Sequence, residues 1–164
     1  MQRLCQSAAL SVGGNNATGA TTTVLGAPCE RPEEAIQRLH TFVIAFEKEF
    51  ASEIETLLNQ VGRDSNLVIC SCYNPCFGPF QVTTVSQGVA NTTIALLADA
   101  VVRVATRLGV PVIDWRRVMT STDDFANPIE PSSVGGAKMA AAIVDVVRNH
   151  PFHLLMDGLS SELP

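Results

Sequence analysis

The sequence predicts an α/β fold in which a parallel sheet is sandwiched between helices in three layers. Three observations carry this. Short apolar runs alternate with long amphipathic stretches in the order strand, helix, strand, helix, strand, helix. In the longest stretch, apolar residues recur every three or four positions, the period of a helix with one buried face. Strands separated by helices cannot pair through tight hairpins, so the connections are crossovers and the strands parallel.

Element by element, Ala8 to Val12 reads as a short apolar strand ending in Gly13-Gly14. Asn15 to Arg31, rich in Gly, Thr, Ala and Asn, reads as a loop. Pro32 at a first helical turn, followed by Glu33-Glu34, starts a helix that reaches about Val61 and is closed by Gly62. Its predicted buried stripe is Ile36, Leu39, Val43, Phe46, Phe50, Ile54, Leu57 and Val61. Leu67 to Cys72 is a second strand and Tyr73 to Gln81 a turn-rich loop. A second long helix runs from about Val85 to Leu108, with Gly109 at its C-cap. Val110 to Asp114 is the third strand. Residues 124–140, DFANPIEPSSVGGAKMA, read as a loop feeding a last helix. That helix opens at Gly135-Gly136 and carries Met139, Ile143, Val144 and Val147 on its apolar face. With no repeat, low-complexity tract or linker, residues 1–150 form one domain and 151–164 a tail over the surface.

Composition narrows the function. Of 164 residues, 46% are hydrophobic and 16% charged, which favours a packed core over disorder. A net charge of −5, with no basic cluster beyond Arg116-Arg117, argues against a nucleic-acid partner. No apolar run reaches the length of a membrane span, and MQRLCQSAAL lacks the apolar core and cleavage site of a signal peptide. The expectation is a soluble, cytoplasmic protein. Five cysteines, Cys5, Cys29, Cys70, Cys72 and Cys76, make an odd count outside a small secreted domain, which disfavours a disulfide framework. Cys70 and Cys72 would share a strand face. No histidine stands at ligand spacing from these thiols, so buried, inert cysteines are expected rather than a metal site.

In such folds chemistry collects in loops at the carboxyl ends of the strands, here those after Val12, Cys72 and Asp114. The residues there resemble the motif blocks of the SGNH (GDSL-type) esterase and lipase superfamily. Gly13-Gly14-Asn15-Asn16 is similar to its G-x-N-D block. The stretch before the last helix is similar to its terminal D-x-x-H-P-x-x-x-G block, with Pro131 and Gly135 on the proline and glycine. Tyr73-Asn74-Pro75, Asn127 to Ser132 and Gly135-Gly136-Ala137-Lys138 resemble one branch of that superfamily, over about residues 8 to 148. The resemblance implies a flavodoxin-like parallel sheet, no cofactor, and hydrolysis of a small carboxylic ester through a serine acyl-enzyme. It places Asn15 as an oxyanion donor. Asn127 falls on the catalytic aspartate and Glu130 on the catalytic histidine.

The catalytic letters depart from the pattern. Asn16 stands where the block has aspartate, Asn127 lacks the charge that orients an imidazolium, and Glu130 is a weaker base than histidine near neutral pH. No G-D-S block occurs, and no room remains for two strands before Ala8. On the superfamily's plan the chain would begin at the third strand, truncated to the last three strands and helices. The first strand would then be an exposed edge, prone to self-association. The bland reading makes Asn127-Pro128 a turn, with Glu130 ordering the loop, and makes GGNN a flexible turn.

Other candidates are weaker. Ala9-x-Ser11-x-Gly13 faintly echoes a nucleophile elbow, but no helix is predicted directly after it. Ser133 follows no strand, His40 sits on a solvated helix face, and His150-x-x-His153 is slight evidence for a metal. Asp123-Asp124 reads as a charged turn. Gly13 to Gly19 lacks the G-K-[ST] ending of a phosphate cradle. The leading expectation is an SGNH-type ester hydrolase domain, catalytically incomplete in this chain. The alternatives are a non-catalytic module binding small molecules or partners, and an unrelated flavodoxin-like module binding phosphate or flavin.

Overall fold

The structure is a computed structural model that describes residues 7–20, 24–62, 65–84 and 86–152. Cys5, Val85, His153 and most of the expected tail lie outside the described residues. Three strands, β1 (Ser7–Ser11), β2 (Asn66–Cys70) and β3 (Val112–Ile113), form one parallel sheet in the order β1-β2-β3. The helices are α1 (Gly14–Gly19), α2 (Pro32–Val61), α3 (Gln87–Leu108) and α4 (Ser133–Asn149).

β2 is the centre of the molecule, and alternation along it explains the three layers. Leu67 and Ile69 face a core built with α2 and α3, where Leu39, Val43, Phe46, Phe50, Leu97, Val101 and Val104 meet. Val68 and Cys70 face the opposite side, where Ile113 and Trp115 pack under Met139, Ile143, Val146 and Val147 of α4. The α/β class and the three-layer parallel arrangement therefore stand as the sequence predicts.

The details differ for identifiable reasons. α1 occupies the start of the expected loop. Gly13, in the left-handed region at φ 97°, turns the chain, and its carbonyl accepts from Ala17 N–H at 2.8 Å. Ala17 and Ala20 are buried, so burial against α3 outweighs a turn-rich composition. A helix thus does follow Ser11-x-Gly13, contrary to the sequence reading. Ile36 belongs to the predicted buried stripe but is 68% exposed, whereas Leu58 is buried. α2 has 30 residues, about 45 Å at 1.5 Å per residue, and outruns strands of five residues.

β3 is trimmed at both ends. Val110 N–H closes the end of α3 onto Ala105 O, and Pro111 has no N–H. Asp114 caps the 3-10 turn Trp115–Arg117, accepting from Arg116 N–H. α4 begins at Ser133, two residues earlier than expected, because Ser132 Oγ accepts from Val134 and Gly135 N–H. Val144 turns out exposed and Val146 takes its place on the packed face. α3 is long and apolar enough to cross a membrane, contrary to the sequence reading, yet its apolar residues supply much of the central core.

Candidate functional site

The site is built at the carboxyl ends of β1 and β2. Gly13 fixes the first wall. A Cβ there would stand 2.6 Å from Cys72 Sγ, so only glycine allows the β1–α1 turn to close over the end of β2. The Cys72 thiol donates to Val12 O at 2.9 Å and ties the two strand ends together. α1 then brings Asn15 and Thr18 to the rim and Ala17 to the interior.

The second wall is the loop after β2, and α3 holds it. Gln87 Nε2 donates to Pro75 O at 2.7 Å, and its Oε1 accepts from Phe77 N–H at 2.9 Å. One glutamine thereby satisfies both sides of a loop that has no ladder of its own. Tyr73 reaches the other way, donating from its hydroxyl to Ile129 O at 2.8 Å. Burial, and then the nearby Glu130 charge, push that phenol up from its ordinary value.

The third wall is the segment before α4. Asn127 Oδ1 accepts from Ile129 N–H at 3.0 Å and Glu130 N–H at 2.9 Å, a side-chain-closed turn. Cys76 N–H donates to Pro128 O at 2.8 Å, docking this turn on the loop after β2. Behind it lies Asp124, at the end of the charged turn that the sequence suggests but with its side chain fully buried. Asp124 Oδ2 accepts from Thr120 and Ser121 N–H, and Oδ1 pairs with Lys138 Nζ at 2.7 Å. The Lys138 ammonium and the Ser121 N–H hold this carboxyl below its ordinary range. Gly135 permits the contact, since a Cβ there would lie 2.2 Å from Asp124 O. The G-G-x-K letters thus serve to dock the helix.

These walls enclose one cleft of about 340 Å³. Ser11, Asn15, Thr18, Ile129 and Glu130 stand at its exposed mouth, and Ala17, Cys72, Ala90 and Ile94 at its buried end. Two of the expected residues, Asn15 and Glu130, therefore share a cleft, while Asn127 orders the turn beside it without lining it. Of the connection after β3, the far end with Ile129 and Glu130 forms the third wall and the near end does not; there Asp114 is held below the ordinary carboxylate range by the Arg116 guanidinium and also accepts from Ser71 Oγ. Sequence reasoning missed Thr18, Phe77, Ala90 and Ile94. Periodicity marks Ala90 and Ile94 only as one face of a helix, and nothing in it says that the face borders a hollow.

Cys70 and Cys72 do not share a strand face, as the strand ends at Cys70 and the two thiols enter opposite cores. Burial pushes both up to about 11, so near neutral pH they are protonated. His40 is exposed on α2, and the His150 ring packs on Phe152 with centroids 4.5 Å apart.

Two solved structures share this architecture. One is phospholipase A1 from Streptomyces albidoflavus NA297, with a TM-score of 0.55 and 18% identity, covering 85% of this chain and 68% of that one. The other is an extracellular lipase from Streptomyces rimosus, with a TM-score of 0.55 and 11% identity over the same shares. No family model and no curated protein matches the chain. What the two structures share with this chain is the α/β fold.

Proposed function

We propose that this chain is an SGNH-type ester hydrolase domain whose cleft binds a small carboxylic ester and which is catalytically incomplete by itself. The observation that carries the reading is the convergence of three separate segments, after β1, after β2 and before α4, on one apolar-floored cleft with Asn15 and Glu130 at its mouth. In this reading the ester carbonyl lies at the mouth, where Asn15 offers an amide N–H to the oxygen. Glu130 occupies the base position. As a carboxylate it accepts hydrogen bonds but is a poor acceptor of a serine proton near pH 7. No imidazole lines the cleft, so the described residues supply recognition and no complete relay.

Titration with 4-nitrophenyl butyrate, following backbone amide shifts and 4-nitrophenolate release together, tests this. Saturable shifts at Asn15, Phe77, Ala90 and Glu130, without release above buffer, are the expected outcome. Shifts elsewhere, or none, would sink it. Release that disappears in Glu130→Gln would replace incompleteness with a working glutamate base. The alternative, a non-catalytic module for other small molecules or a partner, gains nothing specific from the cleft.

A further inference from the structure

The cleft's lining divides into exposed, mostly polar residues and buried, apolar ones. At the mouth, Asn15, Thr18, Ile129 and Glu130 are exposed, while at the inner end Ala17, Ala90 and Ile94 are each 6% exposed. An amphipathic ligand matches this division only with its apolar end inward. α1 and α3, which pack on each other, supply the inner wall, and two of its three apolar residues are alanines. The space exists because those side chains stop at Cβ. At about 340 Å³ the cleft is near the lower limit of ligand pockets, roughly 300–1,000 Å³. Because the mouth is open, a short acyl chain can be covered whole against Ala17, Ala90 and Ile94, whereas a longer one leaves its excess methylenes in water.

Charge narrows the ligand further. Among the described residues, no Lys, Arg or His lines the cleft, and Glu130 is its one carboxylate. An entering anion would exchange water for a like charge and gain no cation. An ester carries no such penalty.

We infer that the cleft selects short, uncharged acyl esters, with Ala17, Ala90 and Ile94 setting chain length at its inner end and Glu130 turning carboxylates away at its mouth. The inference rests on the ester-binding reading above. It implies that a bound ester and its carboxylic acid product differ in affinity, in the direction that favours release of the acid.

The test is ligand-observed NMR with methyl acetate, butyrate, hexanoate and decanoate, and with the butyrate anion, at pH 7. Affinity is expected to rise roughly fourfold for each added methylene as far as hexanoate and then to level. Butyrate anion should bind about tenfold more weakly than methyl butyrate, the factor for a like charge some 6 Å away at an effective dielectric constant of about 40. Ala90→Leu should move the levelling point to a shorter chain, and Ile94→Val should move it to a longer one. Glu130→Gln should remove most of the penalty on the anion. Circular dichroism checks that each variant folds, and Ile94→Val decides alone if Ala90→Leu does not. An unchanged chain-length profile in the folded variants overturns the inference while leaving ester binding intact. Absence of saturable binding by every ester in the wild-type protein overturns the ester-binding reading itself.

Discussion

Gly135 and Gly136 are neighbours in the first turn of α4, and the structure predicts opposite effects of the same substitution at the two positions. A Cβ on Gly135 would lie 2.2 Å from Asp124 O and 2.9 Å from Met119 Cε, whereas one on Gly136 meets nothing within 4 Å. The methionine end can swing aside. The carbonyl cannot, because Asp124 is held by the Thr120 and Ser121 amides and its carbonyl accepts from Ser132 N–H at 2.8 Å. Ala at 135 must therefore push α4 outward by about the 1.2 Å that separates 2.2 Å from ordinary contact at 3.4 Å. Overpacking of that kind costs about 1–3 kcal/mol, and the weakened Ser132 bond and Lys138 pair add about 1 kcal/mol each. The gain from replacing Gly inside a helix, about 0.8–1 kcal/mol, offsets part of this. Gly135→Ala should thus destabilise by about 2–4 kcal/mol, while Gly136→Ala, with the helical gain alone, should stabilise by about 0.8 kcal/mol. Urea unfolding reads both, because Trp115 is the one tryptophan and is buried beneath α4. With a slope of about 2 kcal/mol per molar, the midpoint should fall by about 1–2 M for Gly135→Ala and rise by about 0.4 M for Gly136→Ala. A Gly135→Ala midpoint within about 0.25 M of the parent would refute the docking argument, as would equal losses at both positions.

Asp124→Asn should destabilise by about 1–3 kcal/mol and should flatten the acid limb of the stability curve. The carboxyl's ordinary value is 3.8 and folding lowers it, so its contribution is complete above about pH 4 and fades as pH falls toward the lowered value. A variant with the parent's slope between pH 2 and pH 5 would count against this. Iodoacetamide at neutral pH should label exposed Cys29 and spare Cys70 and Cys72 until the protein is denatured, as peptide mass mapping will show. The β1 edge should drive concentration-dependent association in sedimentation velocity, and Ala9→Lys, on an exposed position of that edge, should suppress it. A monodisperse wild-type monomer across the whole concentration range would remove that expectation.

The parallel sheet and its cover of helices were legible because strands buried on two sides leave continuous apolar runs, as at Leu67 to Cys70, and long amphipathic helices leave a period. The errors sit where non-local contacts outweigh local signals. A glycine- and asparagine-rich stretch became α1 because Ala17 and Ala20 found α3. Asp124 became buried because Gly135 lets α4 approach its carbonyl, and Lys138, three residues after that glycine, meets its carboxylate. At the site, the motif letters pointed to Asn15 and Glu130, which do share a cleft, but the inner end of that cleft was hidden. Ala90 and Ile94 look like any other core positions of a helix until α1 and the loop after β2 are seen to leave space beside them.

Asn127 offers the sharpest separation between a turn-forming part and a chemical one. Its Oδ1 accepts from two successive amides, Ile129 and Glu130 N–H, and an aspartate carboxylate can accept the same two bonds. If the turn is its whole contribution, Asn127→Ala should cost about 0.5–2 kcal/mol and weaken ester binding a few-fold by loosening Glu130, and Asn127→Asp should restore both. If instead the amide N–H₂ acts on a bound ligand or on the Glu130 carboxylate, aspartate will fail as alanine does, because it has lost the donors and added a like charge beside Glu130. Stability and ester affinity measured on the same two variants separate these outcomes. Recovery of stability without recovery of affinity in Asn127→Asp would refute the turn-only account, and it would return Asn127 to the orienting position that the motif assigns it.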